Sequence, residues 1–334
     1  MISTPVIVEV TRGPVVESRH EGIACVAKSD GTVIASWGEI DAAILPRSAV
    51  KPIQAIPFVE SGAIQRFGLS DENVALACAS HNGEARHVEA VRGWLKRIGL
   101  SEDDLACGAH ASRLTWRIEE LARANEPLTN ASNNCSGKHS GFLSTAVHYG
   151  ESTKGYIRYD HPVQRRVREA VGDLAGLDAD RLAYGIDGCG IPTLAMPLRN
   201  LARAMATMAD PARLSNSRRT DAVRCIRSAM NAQPFMVAGS GRFCSRLNGW
   251  SGALLQAKGG AEGVYCCMLP TQGLGVALKM WDGAARASEV AAAAILDHLG
   301  VLPEAEKEVL LHPPVKNVVG LLVGEMRPAK GWLG

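Results

Sequence analysis

Aromatic residues are scarce, at 5% of the chain, so the stacking platforms that bind single-stranded nucleic acid are not expected. Charge of either sign is not in excess. The formal net charge is +2 and there is no Lys- or Arg-rich run, which removes the electrostatic footprint of a nucleic-acid binder. No stretch approaches the roughly 18 apolar residues of a membrane helix. The first ten residues lack a basic segment, and Glu9 and Arg12 interrupt their apolar run, so they do not read as a signal peptide. A cytoplasmic location is therefore expected. Nine cysteines are present, but none form a C-x-x-C pair, so reduced, mostly buried thiols are expected. Internal repeats and low-complexity linkers are also missing.

What is present is a chain of 334 residues, 46% hydrophobic and 21% charged, able to bury one large core or two interleaved ones. Its ends carry strand signals. Val6 to Val10 alternates, and two β-branched runs, Ile23 to Lys28 and Thr32 to Trp37, flank an Asp30-Gly31 hairpin turn. Val264 to Leu269 and Gly275 to Met280 form a second predicted hairpin, and Val315 to Val323 a last strand. Between the ends the hydrophobic period lengthens to 3.6. Val88, Val91, Leu95 and Ile98 share one helical face, and helices are predicted over Ile118–Ala124, Pro162–Ala175, Leu198–Met208 and Ala287–Leu299. The expected fold is α+β: an antiparallel sheet built from both chain ends and flanked by helices, with a mainly helical insertion. The expected division is 1–60 plus 245–334 for the sheet part and 61–244 for the helical part, in one compact unit. An active site is expected where the two parts meet.

Four clusters of residues can carry chemistry. Ser48 and Lys51 follow Pro46 at the start of a short apolar helical pattern, and three-residue spacing puts them on one helical face. A serine needs a base to become a nucleophile. A lysine serves only when neutral, which requires its ordinary pKa of about 10.4 to be lowered. The bland alternative is an N-capping serine beside a solvated lysine. Ser80-His81-Asn82 follows an apolar run and precedes a helix, and Lys258-Gly259-Gly260 precedes the second hairpin. In this order the three motifs follow the S-x-x-K, S-x-N, K-[TS]-G set of serine β-lactamases and penicillin-binding proteins, although the third lacks its hydroxyl. The short interval from Ser48 to Ser80 and the lack of a recognisable deacylation glutamate speak against β-lactamase activity itself. The fourth cluster is a pair of polar loops, Thr129 to Gly141 and Tyr184 to Pro192. They contain Cys135, Lys138, His139, Asp187 and Cys189.

The runs R-S-A-V-K-P (47–52), A-S-H-N-G-E (79–84), N-N-C-S-G-K-H-S-G (133–141), D-G-C-G-I-P (187–192), G-S-G-R-F-C (239–244) and K-G-G-A-E-G (258–263) closely resemble the rhizobial-type, class 3 L-asparaginases. The resemblance covers nearly the whole chain, and the two cysteine loops are its most specific part. It implies a β-lactamase/transpeptidase-like or glutaminase-like fold, a homodimer, and hydrolysis of L-asparagine to L-aspartate and ammonia. Carried over by motif, Ser48 with Lys51 and Ser80 with Lys258 become paired catalytic dyads. One zinc ion per subunit is implied, held by Cys135, Cys189 and Lys138. Thiolates suit zinc as soft ligands, whereas a lysine can ligate only after the metal displaces its proton. Asp187 and His139 are expected to orient ligands or substrate. Arg47, Asn133, Asn134 and Gly137 are candidates to hold the substrate's α-carboxylate and α-amine. His81, Asn82 and Cys244 are expected to line the pocket.

The expected reaction is attack by Ser48 on the side-chain amide, with Lys51 taking the proton and an acyl-enzyme forming. The expected partner is a small molecule, with no nucleic acid and no membrane. A glutaminase is the nearest chemical alternative, since one methylene is worth about 1–3 kcal/mol of discrimination. A β-lactam-recognising serine acyl transferase and a zinc-stabilised amino-acid-binding protein are the others.

Overall fold

The computed structural model describes residues 4–250 and 252–333. They form two compact units, each made of separate chain segments: 1–49, 195–210 and 257–334 in the first, 50–194 and 211–256 in the second. The helix Leu198–Ala209, expected from its periodicity, belongs with the sheet-bearing first unit rather than with the helical part as predicted. Its reason is packing. At Gly275 of the strand Leu274–Met280, an added Cβ would lie 2.1 Å from the Ala206 nitrogen, so this helix rests directly on the sheet.

The first unit is built on an eight-stranded sheet. Its order is Pro314–Lys316, Leu322–Pro328, Val6–Arg12, Val15–Lys28, Leu274–Met280, Val264–Leu269 and Gln256–Gly259, with Val33–Trp37 also paired to Val15–Lys28. Its pairings are antiparallel, including Val8 with Pro328 and Val26 with Val276. Strands from both chain ends thus share one sheet, as the patterning predicts. The last predicted strand is in fact two, because Asn317 turns the chain: Gly320 donates to its carbonyl, and its own N–H donates to Leu321. Every residue of Val264–Leu269 is buried, so this strand reads as a continuous apolar run instead of an alternating one.

The second unit is mainly helical. The helix Asp71–Ala77 packs against both Ser136–Tyr149 and Ser217–Ala232. Its start is fixed by Ser70, whose N–H donates to the Asn73 side chain at 3.0 Å. The predicted helices at Pro162–Ala175, Ala85–Arg97 and Thr115–Ala124 are all present in this unit. Gly137, in the first turn of Ser136–Tyr149, is where two helices meet backbone to backbone; a Cβ there would lie 2.2 Å from the Leu76 carbonyl oxygen.

Candidate active site

The chemistry-bearing residues of the second unit converge on Lys51. The chain enters this unit through a 3-10 turn, Arg47–Val50, which runs straight into the short helix Lys51–Gln54; Pro52 suits its first turn because its missing N–H would have had no partner. The Lys51 side chain is fully buried. It donates to the carbonyl of Ala79 at 2.5 Å, to Ser80 Oγ at 3.0 Å and to the carbonyl of Asn134 at 3.4 Å. All three N–H groups of an ammonium are thereby used. The sequence pairs Lys51 with Ser48; the geometry pairs it with Ser80.

Ser80 follows the buried helix Asp71–Ala77, and a hydrogen bond from its N–H to the Val237 carbonyl at 2.9 Å holds it in place. His81 is locked. Gly83 N–H donates to its Nδ1 at 3.1 Å, so Nε2 carries the proton and donates to Ser136 Oγ at 2.9 Å, which donates to the Ala131 carbonyl. Burial, followed by the nearby His87 and Lys51 charges, holds its pKa well below the ordinary histidine range. A neutral, doubly bonded imidazole orders this loop instead of moving protons. Asn82 is also occupied: Nδ2 donates to the Ser240 carbonyl at 3.1 Å, and Oδ1 accepts from Arg242 at 3.0 Å.

The two cysteine loops meet in the same unit. Asn133 ties the first of them down, donating to the carbonyls of Cys107 and Gly108 and accepting from Cys135 N–H. Cys135 then caps the helix Ser136–Tyr149, and its thiol donates to Asn134 Oδ1 at 3.1 Å. Cys189 lies between the paired strands Tyr184–Ile186 and Pro192–Leu194, in a turn closed by the Asp187 and Gly190 amides. Lys138 Nζ reaches Cys189 Sγ at 3.0 Å. The neighbouring Cys135 sulfur and the Lys138 charge outweigh burial and lower the Cys189 pKa, while Cys189 and burial raise that of Cys135. Burial opposes the Lys138 charge, but the two sulfurs outweigh it and keep the ammonium protonated. His139 Nδ1 accepts from Tyr156 at 2.6 Å, and its Nε2 is buried without a partner among the described residues. Burial and the Lys138 charge depress its pKa far below the usual value.

A soft cation fits this donor set. Among the described residues, no group of three or more His, Cys, Asp and Glu side chains could hold a metal. The set assembled here is different in kind, two sulfurs and an amine nitrogen.

Arg47, Ser48 and Lys258 belong to the first unit. Arg47 adopts a left-handed φ of 51°, a conformation that costs a non-glycine residue about 1–3 kcal/mol. Ser48 is half-buried in the turn that follows. Lys258, 1% exposed on the strand Gln256–Gly259, donates to the Gly259 carbonyl at 2.7 Å. A Cβ on Gly260 would stand 2.8 Å from the Pro46 carbonyl oxygen and 3.3 Å from the Ala49 nitrogen, so the K-G-G strand end abuts the Ser48 turn within this unit. Cys244 is buried in the helix Phe243–Trp250 of the second unit.

Three residues inside the quoted runs carry no role in the sequence analysis. Glu84, buried after the Ser80–Asn82 run, accepts from Ser240 N–H at 2.8 Å and from Ser240 Oγ at 2.7 Å. Gly239 passes so close that a Cβ there would meet Glu84 Oε1 at 2.4 Å, and its φ of 102° independently favours glycine. Arg242 donates through Nη1 to Asn82 Oδ1 and to the Ser80 carbonyl at 3.4 Å. The only signal in the sequence is the G-S-G-R run itself, two glycines around a hydroxyl.

Solved structures similar to the chain include a β-lactamase from Mycobacterium bovis, at 12% identity and a TM-score of 0.41, with 83% of this chain and 94% of that one covered. A D-alanine carboxypeptidase from Burkholderia cenocepacia matches at 12% identity and a TM-score of 0.41, covering 83% and 93%. A β-lactamase-like protein from Bacteroides dorei matches at 15% identity and 0.39, covering 78% and 84%. No curated protein matches the chain. The family model for L-asparaginase II matches residues 8–328, a span that takes in Ser48, Lys51, Ser80, Lys258 and both cysteine loops, and the chain therefore belongs to the L-asparaginase II family.

Proposed function

We propose that the protein hydrolyses the side-chain amide of L-asparagine to L-aspartate and ammonia by a serine–lysine mechanism. The observation that carries this reading is the buried Lys51 bonded to the Ser80 hydroxyl, in a chain of the L-asparaginase II family. As a neutral amine, Lys51 would still give two N–H groups to the Ala79 and Asn134 carbonyls, leaving its lone pair for a serine proton. Ser48, three residues ahead in the same run of helical turns, is the proposed nucleophile. Its oxygen bonds to the amide carbon, and its proton passes to Lys51. The C–N bond breaks as the nitrogen takes a proton and leaves as ammonia. Water then attacks the acyl carbon, releasing aspartate and restoring the serine.

A second assignment has an observation in its favour: Ser80, directly bonded to Lys51, makes the acyl bond. Brief incubation with asparagine, acid quench and peptide mapping of the acylated serine tells them apart. Ser48→Ala is expected to lose on the order of a thousandfold in kcat and all acyl adduct. An adduct on Ser80 moves the nucleophile there. Absence of ammonia release from any amide by the intact protein rejects hydrolase activity altogether.

Zinc is the proposed cation for Cys135, Cys189 and Lys138. When bound, it would neutralise the thiolates and pin the two loops to each other. Elemental analysis of purified protein is expected to find about one zinc per chain, lost in Cys189→Ser. A metal-free protein of full activity would refute the assignment.

A further inference from the structure

Among the described residues, Arg242 is a cation with no anion beside it. Its guanidinium is half-buried, and it donates from Nη1 to Asn82 Oδ1 and the Ser80 carbonyl. Among the described residues no carboxylate pairs with it, and Nε and Nη2 donate to no protein acceptor. The buried arginines of this unit have anionic partners: Arg117 has Glu120, Arg168 has Asp180, and Arg219 has Glu60 and Asp173. The remaining cations near Ser80 are occupied. Lys51 spends its three N–H groups on two carbonyls and a hydroxyl, and Lys138 faces the Cys189 sulfur.

The position of Arg242 is set, not incidental. Glu84 holds Ser240 by two hydrogen bonds, and Asn82 holds the Ser240 carbonyl. The close passage of Gly239 against Glu84 and Asn82 admits no side chain. The loop from Gly239 is thus strapped to the residues that follow Ser80, and it delivers the guanidinium to the carbonyl of Ser80 itself. A half-desolvated cation with an open bidentate face, one residue from a serine hydroxyl, is suited to a planar anion.

We propose that Arg242 binds the α-carboxylate of the substrate and so restricts the enzyme to free amino acids, with Glu84 as the positioning residue that holds its loop. This rests on the amide-hydrolysis reading above. In that reaction the reacting carbon and the α-carboxylate belong to one small molecule, so an anion anchor beside Ser80 fixes where the side-chain amide lies. An α-amidated or peptide-linked asparagine offers no anion there and leaves the guanidinium unpaired, the kind of mismatch a polar site rejects strongly.

The test compares L-asparagine with its α-carboxamide, L-aspartic acid diamide, as substrates of the wild type, Arg242→Gln and Arg242→Lys. The wild type is expected to favour L-asparagine by roughly 100-fold in kcat/KM, and Arg242→Gln to collapse that ratio toward one, chiefly through KM. Arg242→Lys, which keeps the charge without the fork, is expected to recover part of it. Glu84→Gln should weaken the preference in the same direction, while Glu84→Asp preserves more of it. A preference unchanged in Arg242→Gln overturns the assignment, as does a wild type that hydrolyses both substrates equally. If neither compound is hydrolysed, the hydrolase reading fails, and calorimetric binding of L-aspartate decides the anchor alone. Binding lost in Arg242→Gln supports it, and binding equal in both proteins, or undetectable in the wild type, rejects it.

Discussion

His87 is a single residue whose environment makes a measurable demand. Its ring stacks on His81 at 4.8 Å and on Phe235 at 4.5 Å, Nε2 bonds to the Phe235 carbonyl, and Nδ1 is buried without a partner among the described residues. Burial lowers its pKa from the ordinary 6.5, against the raising effect of the Phe235 carbonyl and of Glu84 and Glu72. The folded form therefore refuses a proton that the unfolded chain accepts. Stability associated with His87 is present above about pH 6.5 and is lost as the pH falls below it. Thermal unfolding from pH 8 to pH 5 should show Tm dropping on the acid side, and His87→Gln should flatten that limb. An identical acid limb in the variant would show that His87 does not titrate across unfolding. His81, depressed by the same burial, adds a drop of the same sign, so the flattening is partial. At this scale the sequence is informative for Ser80, Lys51 and the cysteines because they sit in compact runs. Arg242 is not legible there: its role comes from Glu84 holding Ser240 from 156 positions away, and no local pattern encodes that distance.

Among elements, the meeting of the helices Asp71–Ala77 and Ser136–Tyr149 fixes the site more firmly than any side chain. The first ends just before Ser80, and the second begins at Ser136 beside Cys135, so their separation sets the spacing of the serine loop and the cysteine loop. Gly137 allows the approach. Gly137→Ala would put a methyl 2.2 Å from the Leu76 carbonyl oxygen and 2.6 Å from Leu76 Cγ, a contact that requires the helices to part. A loss of about 3 kcal/mol in urea unfolding is expected, with activity falling further than stability because both loops shift. A variant with an unchanged urea midpoint would mean the two helices separate freely. Helices such as Pro162–Ala175 are legible because one apolar face repeats without interruption. The strand predicted over Val315–Val323 fails for a related reason. Its apolar residues are continuous through a turn, and Val318 and Val319 stand exposed at its tip, where hydrophobicity reports no pairing.

Taken whole, the chain passes back and forth between its two units, crossing after Ala49, Leu194, Asp210 and Gln256. Composition and periodicity indicate the mixture of sheet and helix, but the helix Leu198–Ala209 carries no mark of the unit it joins; only the small residues Ala202 and Ala206 facing Gly275 settle it. Neither unit can be released by a single cut, so the two are expected to depend on one another for folding. The nine thiols, divided between both units and all reduced, fit a structure in which no disulfide staples these crossings.

Thr11 donates its hydroxyl to the Glu325 carbonyl, a partner 314 positions along the chain, and the strand it belongs to is flanked by Leu322–Pro328. During synthesis at roughly 5–20 residues per second, the strand Val6–Arg12 leaves the ribosome some 15–60 seconds before that neighbour exists. For all that time one of its edges is bare and apolar. The nascent polypeptide must either be shielded by a chaperone or hold its first hairpin provisionally, and the sheet is finished only once residues 322–328 have emerged.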